Sequence, residues 1–157
     1  MKINEEITIS AEPSDIWPFL AVPEGMAVWN PKITSIERQS KEPVHLGERY
    51  GVTFTMSGRA RPAIVEVVVC KPPSILTLRY EATDALRAGF AEETFTLTPC
   101  GSTTRVRQTI AFGSGTIPWF IKPIIWWLHQ FGRPAEESYL SRLQRLVEGF
   151  TSSLAPK

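Results

Sequence analysis

Apolar and polar residues alternate along much of this chain, and helical spacing interrupts the alternation in two places. Ile3, Ile7 and Ile9 stand among Glu6, Thr8 and Ser10, which predicts a half-buried strand. Pro13 suits the first turn of a helix, where its missing N–H has no partner to lose. Ser14 and Asp15 add helix-start chemistry. Ile16, Phe19 and Leu20 then share a face, with Trp17 beside it. Pro18 limits this helix to a turn or two. Pro23, Glu24 and Gly25 are expected to break it. Met26 to Trp29 fit one further turn, and Pro31 stops that.

Strand patterns follow. Lys32 to Arg38 alternates around Ile33 and Ile36, and Pro43 to Gly47 reads as a turn. Tyr50, Val52, Phe54 and Met56 fall on one face of the next strand, and Ser57-Gly58 is a hairpin signal. Ala63 to Cys70 is almost wholly β-branched, so its period assigns no face. After a turn at Lys71-Pro72-Pro73-Ser74, Leu76, Leu78 and Tyr80 share a face. Phe95 and Leu97 set the parity of Phe90 to Thr98, which brings Ala91 and Glu93 to the same side. Pro99 to Ser102 is expected to turn. Val106, Gln108, Ile110 and Phe112 line the following strand.

The chemistry changes after Gly113-Ser114-Gly115. Ile117 to Phe131 is apolar and bulky, and Gly132-Arg133-Pro134 interrupts it. Pro134 with Glu136 and Glu137 looks like a helix start, because acids favour the positive end of a helix. Leu140, Leu143, Val147 and Phe150 then form the apolar face of an amphipathic helix. One strand, two short helices, a run of strands and a long terminal helix is the order of an α+β fold whose sheet curls around a helix and encloses a cavity.

Composition narrows the function. The 157 residues fit one domain, 1–157. A hydrophobic fraction of 43% and a charged fraction of 21% are ordinary for a globular protein. Seventeen basic and 16 acidic residues leave a net charge of +1, with no polybasic run, so nucleic acid is not an expected partner. Cys70 and Cys100 make no disulfide framework and, with His45 and His129 standing alone, no metal-ligand spacing. They read as small buried or half-buried thiols. No cofactor motif is present. The first ten residues read as a strand rather than a signal peptide, and no run is long and apolar enough to cross a bilayer. A cytoplasmic setting is the default expectation.

The order of these motifs resembles the START-like superfamily, also called SRPBCC or Bet v 1-like, and within it the polyketide cyclase/dehydrase-type branch. The resemblance rests on Ile9-Ser10-Ala11-Glu12-Pro13 with Ile16-Trp17 and Leu20, then Trp29-Asn30-Pro31, Gly47, Val67 to Leu76 with Pro72-Pro73, and Leu140, Leu143 and Val147. It covers nearly the whole chain. It implies a helix-grip fold: a curved antiparallel sheet wrapped around a long C-terminal helix, two short helices after the first strand, and a pocket between sheet and helix. Pro18 and the aromatic segment Ile117–Phe131 depart from the usual pattern.

The inner face is the place for chemistry. Trp29, Tyr50, Val52, Phe54, Leu78, Tyr80, Phe95, Ile110 and Phe112 are candidate ligand contacts, together with Phe120 and Trp127 from the aromatic segment. Glu93 and Gln108 are polar positions among these apolar walls. A buried carboxylate without partners costs on the order of several kcal/mol, so Glu93 should be paired, protonated or facing a ligand. Its blander alternatives are solvent exposure or pairing with Arg79, Arg105 or Arg107. Trp29 doubles as a packing anchor, and His45 reads as a solvated turn residue. His129 is a candidate acid or base near the pocket mouth.

Three functions are open on these residues. The first is a binder or carrier of a hydrophobic small molecule: a lipid, polyketide, isoprenoid or aromatic. The second is a cyclase or dehydratase-like enzyme that moves protons with Glu93, Tyr50 or Tyr80. The third is docking through the aromatic segment Ile117–Phe131 on a partner or a membrane, with a homodimer or peripheral membrane contact made by Trp119, Trp126 and Trp127. A single inward glutamate and no inward histidine is thin for acid–base chemistry, which favours the first.

Overall fold

The computed structural model describes residues 2–56, 58–83, 90–113 and 138–154, apart from the side chain of Met56. Seven strands form one antiparallel sheet: β1 (Lys2–Ile9), β2 (Ile33–Glu37), β3 (Arg49–Met56), β4 (Arg59–Lys71), β5 (Ile75–Ala82), β6 (Phe90–Cys100) and β7 (Thr103–Phe112). Their spatial order is β1-β7-β6-β5-β4-β3-β2. Helices α1 (Pro13–Ala21) and α2 (Pro23–Trp29) connect the two edge strands, and α3 (Tyr139–Leu154) packs against β1, α1 and α2. This is the α+β helix-grip arrangement that the element order predicts.

Several local details differ from the sequence reading. The first helix does end before Pro23, but Pro23, Glu24 and Gly25 are not the break itself. They form the first turn of α2, and Val22 alone separates the two helices. Proline at a first helical position costs nothing, because that N–H has no intrahelical acceptor. Pro99 and Cys100 still pair in the β6–β7 ladder with Thr104 and Thr103, so that turn is only Gly101-Ser102. Gly101 adopts φ +66° and Gly58, in the β3–β4 hairpin, φ +72°, both in the region that favours glycine. Cys70 is half-buried, but Cys100 is exposed rather than covered.

Two irregularities settle faces that periodicity leaves open. In β4 the partners step from Val67–Leu78 to Val69–Thr77, so Val68 is an extra residue. Ala63, Val65 and Val67 point inward before it, and Cys70 comes opposite inward Leu76 after it. In β2 the partners step from Ile33–Phe54 to Ser35–Thr53. That extra residue lets Ile33 and Ile36 both pack on the core despite their odd spacing.

The core lies between the concave face and the helices. Leu140, Leu143 and Val147 of α3 are fully buried with Ile9, Val65, Val67, Leu76, Phe95 and Val106. Helix α3 is also tied to the first strand through polar groups. The Ser10 N–H donates to Glu148 (2.9 Å), and Gln144 Nε2 donates to the Thr8 carbonyl (2.9 Å). Phe150, expected on the buried face, is 50% exposed and only edges against Phe19 at 5.9 Å.

Truncation should separate these positions. Leu143→Ala is expected to cost about 2–5 kcal/mol, because it leaves a hole in a closed core. Phe150→Ala should cost less than about 2 kcal/mol, since half of its surface is already wet. Urea unfolding midpoints at constant slope test the pair, and equal losses would contradict the assignment of the buried face.

Candidate functional site

Parity along three neighbouring strands places the candidate site. Leu76, Leu78 and Tyr80 of β5, Glu93, Phe95 and Leu97 of β6, and Val106 and Gln108 of β7 share the concave side. Leu78 lies opposite Glu93, and Phe95 opposite Gln108. Tyr80 and Gln108 are therefore diagonal neighbours of Glu93, within reach of its carboxyl.

They converge on it. The Tyr80 hydroxyl donates to Glu93 Oε2 at 2.5 Å, and Gln108 Nε2 donates to Glu93 Oε1. Glu93 is 7% exposed and Gln108 6%. The three arginines offered by the sequence as partners are engaged elsewhere. Arg79 bonds Glu92 (2.8 Å), and Arg107 and Arg105 face Glu6 (2.9 and 3.4 Å), all on the outward side. Among the described residues, the Glu93 charge thus has neutral hydrogen-bond donors, not an ion pair, as its direct partners.

An apolar crevice borders this cluster at Tyr80. Tyr50, Val52, Phe54, Val65 and Tyr80 line a crevice together with Pro23, Met26, Ile33 and Ile36 of the α2–β2 side. Its free volume is about 10 Å³, which suits about one water. Described residues alone therefore leave no room there for an organic guest. Phe54 and Tyr80 meet edge to face at 5.3 Å, and both are half-buried. Tyr50 is buried, and burial pushes its hydroxyl well above the usual tyrosine range. The same cause raises Tyr80, with the Glu93 charge adding to it.

The remaining predicted contacts fall into two sets. Trp29 is an anchor: its indole N–H donates to the Phe19 carbonyl (2.9 Å), and its ring meets Phe95 edge to face at 6.1 Å. Leu78 and Phe95 are fully buried, while Ile110 and Phe112 are half-buried beyond Gln108 on β7. Phe120, Trp127, Trp119, Trp126 and His129 lie outside the described residues, as does the proposed docking segment. His45 is a solvated turn residue, 78% exposed, with Nδ1 3.0 Å from Glu48. Glu48 is held below the ordinary carboxyl range by Arg38, whose Nε donates to it at 2.5 Å. Arg38 also donates to the carbonyls of Ser40 and Glu42, which fixes the β2–β3 loop beside the crevice.

Two residues near the candidate site escaped the sequence reading. Glu5 shares the buried side of β1 with Ile3, Ile7 and Ile9, opposite Gln108. The Ile-x-Glu-x-Ile-x-Ile alternation carried that signal. Lys32 is the other. Its positive charge acts on Glu93, and its Nζ sits 4.8 Å over the Tyr139 ring. Nothing in the local sequence marks it, because the approach depends on the fold.

Burial lifts the Glu93 carboxyl above the ordinary glutamate range, and the bonds from Tyr80 and Gln108 draw it part of the way back. The folded chain therefore holds this proton to higher pH than the unfolded chain. Between the two titration points the folded state binds more protons, so the group's contribution to stability falls as pH rises through that window. Tyr80→Phe removes a donor to the charged form. Carbon NMR of the glutamate carboxyls should show Glu93 titrating above the ordinary range in the parent chain and higher still in the variant. An unshifted midpoint in both would contradict the geometry.

Comparison with known proteins agrees with this architecture. No curated protein matches the sequence. Among solved structures, protein CV1439 from Chromobacterium violaceum superposes with a TM-score of 0.68 at 18% identity, covering 94% of this chain and 96% of that one. Ara h 8.0201 gives 0.59 at 14% identity, with 98% of each chain covered. The Aha1 dimer from Colwellia psychrerythraea gives 0.59 at 19% identity, covering 94% and 96%. These identities speak for the fold alone. The family model described as polyketide cyclase/dehydrase and lipid transport matches residues 1–148. With a Bet v 1-like sheet gripping its terminal helix and that match over nearly its full length, the chain belongs to the polyketide cyclase/dehydrase and lipid transport family of the START-like superfamily.

Proposed function

We propose that the protein binds and carries a hydrophobic small molecule (a lipid, polyketide, isoprenoid or aromatic) against the concave face of its sheet. The observation that carries this reading is the Tyr80–Glu93–Gln108 cluster. A fold that needed only a core would be as stable, or more so, with apolar residues there. Sites for greasy guests, in contrast, combine apolar walls with a few placed polar groups. The family description, with its lipid transport, supports the reading. A reducing cytoplasmic setting belongs to the proposal, and the free thiols of Cys70 and Cys100 support it.

A second reading has one observation in its favour. Tyr80 and Glu93 form a short donor–acceptor pair in a water-poor site, and the carboxyl is raised toward the range useful for proton transfer. A cyclase or dehydratase-like enzyme would use that pair to move protons on a held, flexible substrate.

Native mass spectrometry of freshly purified protein, followed by solvent extraction, tests the first reading. An apolar molecule should accompany the chain. The same spectrum shows whether the chain pairs with itself. Independently, Phe54→Ala should open the crevice and tighten binding of the neutral probe N-phenyl-1-naphthylamine, because truncated apolar walls leave dry holes that admit benzene-sized guests. No co-purifying molecule together with no probe binding in either protein sinks the proposal. Catalysis is favoured instead if Glu93→Gln keeps affinity for a candidate substrate and abolishes its turnover.

A further inference from the structure

Tyr80 belongs to two structures at once. Its side chain is part of the crevice wall beside Tyr50, Val52 and Phe54, and its hydroxyl donates to Glu93 Oε2 at 2.5 Å. The crevice holds about 10 Å³, so a guest larger than water gains room only by displacing walls. Tyr50, Val52 and Val65 are buried in the core, whereas Phe54 and Tyr80 are half-buried and meet edge to face at 5.3 Å. Glu93 is not part of the wall, so Tyr80 is its link to the crevice. Among the described residues, the other groups about Glu93 are independent of that ring. Gln108 of β7 donates to its second oxygen, and Lys32, ahead of β2, acts on it by charge. Tyr50 of β3 feels the Glu93 charge, and burial keeps both tyrosines neutral near pH 7. Glu5 of β1 lies opposite Gln108 and is engaged in an interaction of its own. The three helices turn apolar residues to the core, among them Ile16, Leu20, Trp29, Leu140 and Leu143.

Resting on the reading that this face takes up an apolar guest, we propose that uptake is coupled to protonation of Glu93: a guest that swings Tyr80 aside removes a donor from the carboxylate, which takes a proton from solvent, so acid tightens binding. The bond itself supplies the coupling. A hydroxyl donates about twice as strongly to a carboxylate as to a neutral acceptor. While Glu93 is charged, Tyr80 is held and Phe54 is the ring that yields. Once Glu93 is protonated both rings yield, and the crevice opens wider. Burial already lifts the carboxyl above the ordinary glutamate range and the Tyr80 bond draws it part of the way back, so losing that bond lifts it further. Linkage is reciprocal: a guest that favours the proton is favoured by it. Between the titration points of the empty and the loaded protein, binding takes up protons and affinity falls as pH rises. Outside that window affinity is level.

The test titrates the full chain with N-phenyl-1-naphthylamine, an uncharged probe, at steps from about pH 5 to about pH 8. Its Kd should rise at least about threefold across that range in the parent chain. Calorimetric titrations in buffers of unequal ionisation heat, made within the window, should show net proton uptake on binding. Tyr80→Phe has no bond to lose, so its Kd should change by less than about 1.5-fold over the same range, with no proton uptake. Glu93→Gln should be equally level, with folding of both variants checked by thermal melting. A purely structural role for Tyr80 would shift Kd alike at every pH and keep the slope. Level affinity without proton uptake in the parent chain overturns the coupling and leaves hydrophobic binding standing. A slope that survives either variant does the same. Absence of binding in the parent chain at every pH overturns the coupling, and absence in Phe54→Ala as well removes the reading beneath it.

Discussion

A bent antiparallel sheet with two free edges cannot bury its own concave face, and this structure is organised around covering that face. The long helix Tyr139–Leu154 supplies the cover through Leu140, Leu143 and Val147, all fully buried. The short pair Pro13–Ala21 and Pro23–Trp29 fills the opening between the edge strands, with Ile16, Leu20 and Trp29 buried beneath it. Trp29 locks the pair to itself through the Phe19 carbonyl and to the sheet through Phe95. The outer side of the sheet needs no cover. Its arginines and glutamates form partly exposed pairs, such as Arg79 with Glu92 and Arg49 with Glu81, which keep it wet and add little stability each.

That division of faces gives Glu93 its meaning. Acids and bases that serve solubility are paired outside, whereas Glu93 sits among Phe95, Leu78 and Tyr80 and, among the described residues, has only neutral hydrogen-bond donors on its oxygens. Such a carboxyl destabilises the folded state at neutral pH relative to acid, the opposite of a surface glutamate beside an arginine. A sheet that tolerates this cost at its centre is shaped by more than packing.

Much of the fold was legible because alternation survives wherever one side of a strand is wet. It placed Tyr50, Val52, Leu78, Tyr80, Glu93, Phe95 and Gln108 inward as found. It failed where a ladder slips. Val68 and the Ile33–Ser35 step each insert a residue, and a period of two cannot register that shift. Glu5 was legible and passed over, because a glutamate between isoleucines reads as the wet side until its neighbours are counted. Phe150 obeyed helical spacing yet lies near the end of its helix, with Phe19 as its aromatic neighbour, so periodicity overstated its burial. The hydrogen bonds onto Glu93 were not legible, since they depend on diagonal reach between three strands.

The narrow crevice and the buried carboxyl have to be understood together. Val65 lines the crevice and is fully buried, while Phe54 and Tyr80 are half-buried and hold each other edge to face. An aromatic pair of this kind is worth about 0.5–1.5 kcal/mol beyond its buried area. A guest that offers its own apolar surface to the same walls can replace that contact at little net cost. The Tyr80 hydroxyl cannot follow its ring outward without leaving Glu93, so on the proposed reading guest entry and the state of the carboxyl would be coupled through a single side chain. Movement of Phe54 breaks no hydrogen bond, whereas movement of Tyr80 strips a donor from a buried acid and favours its protonated form. On the proposed reading, the cheaper path for a guest therefore runs past Phe54, toward the face on which Glu93 is held.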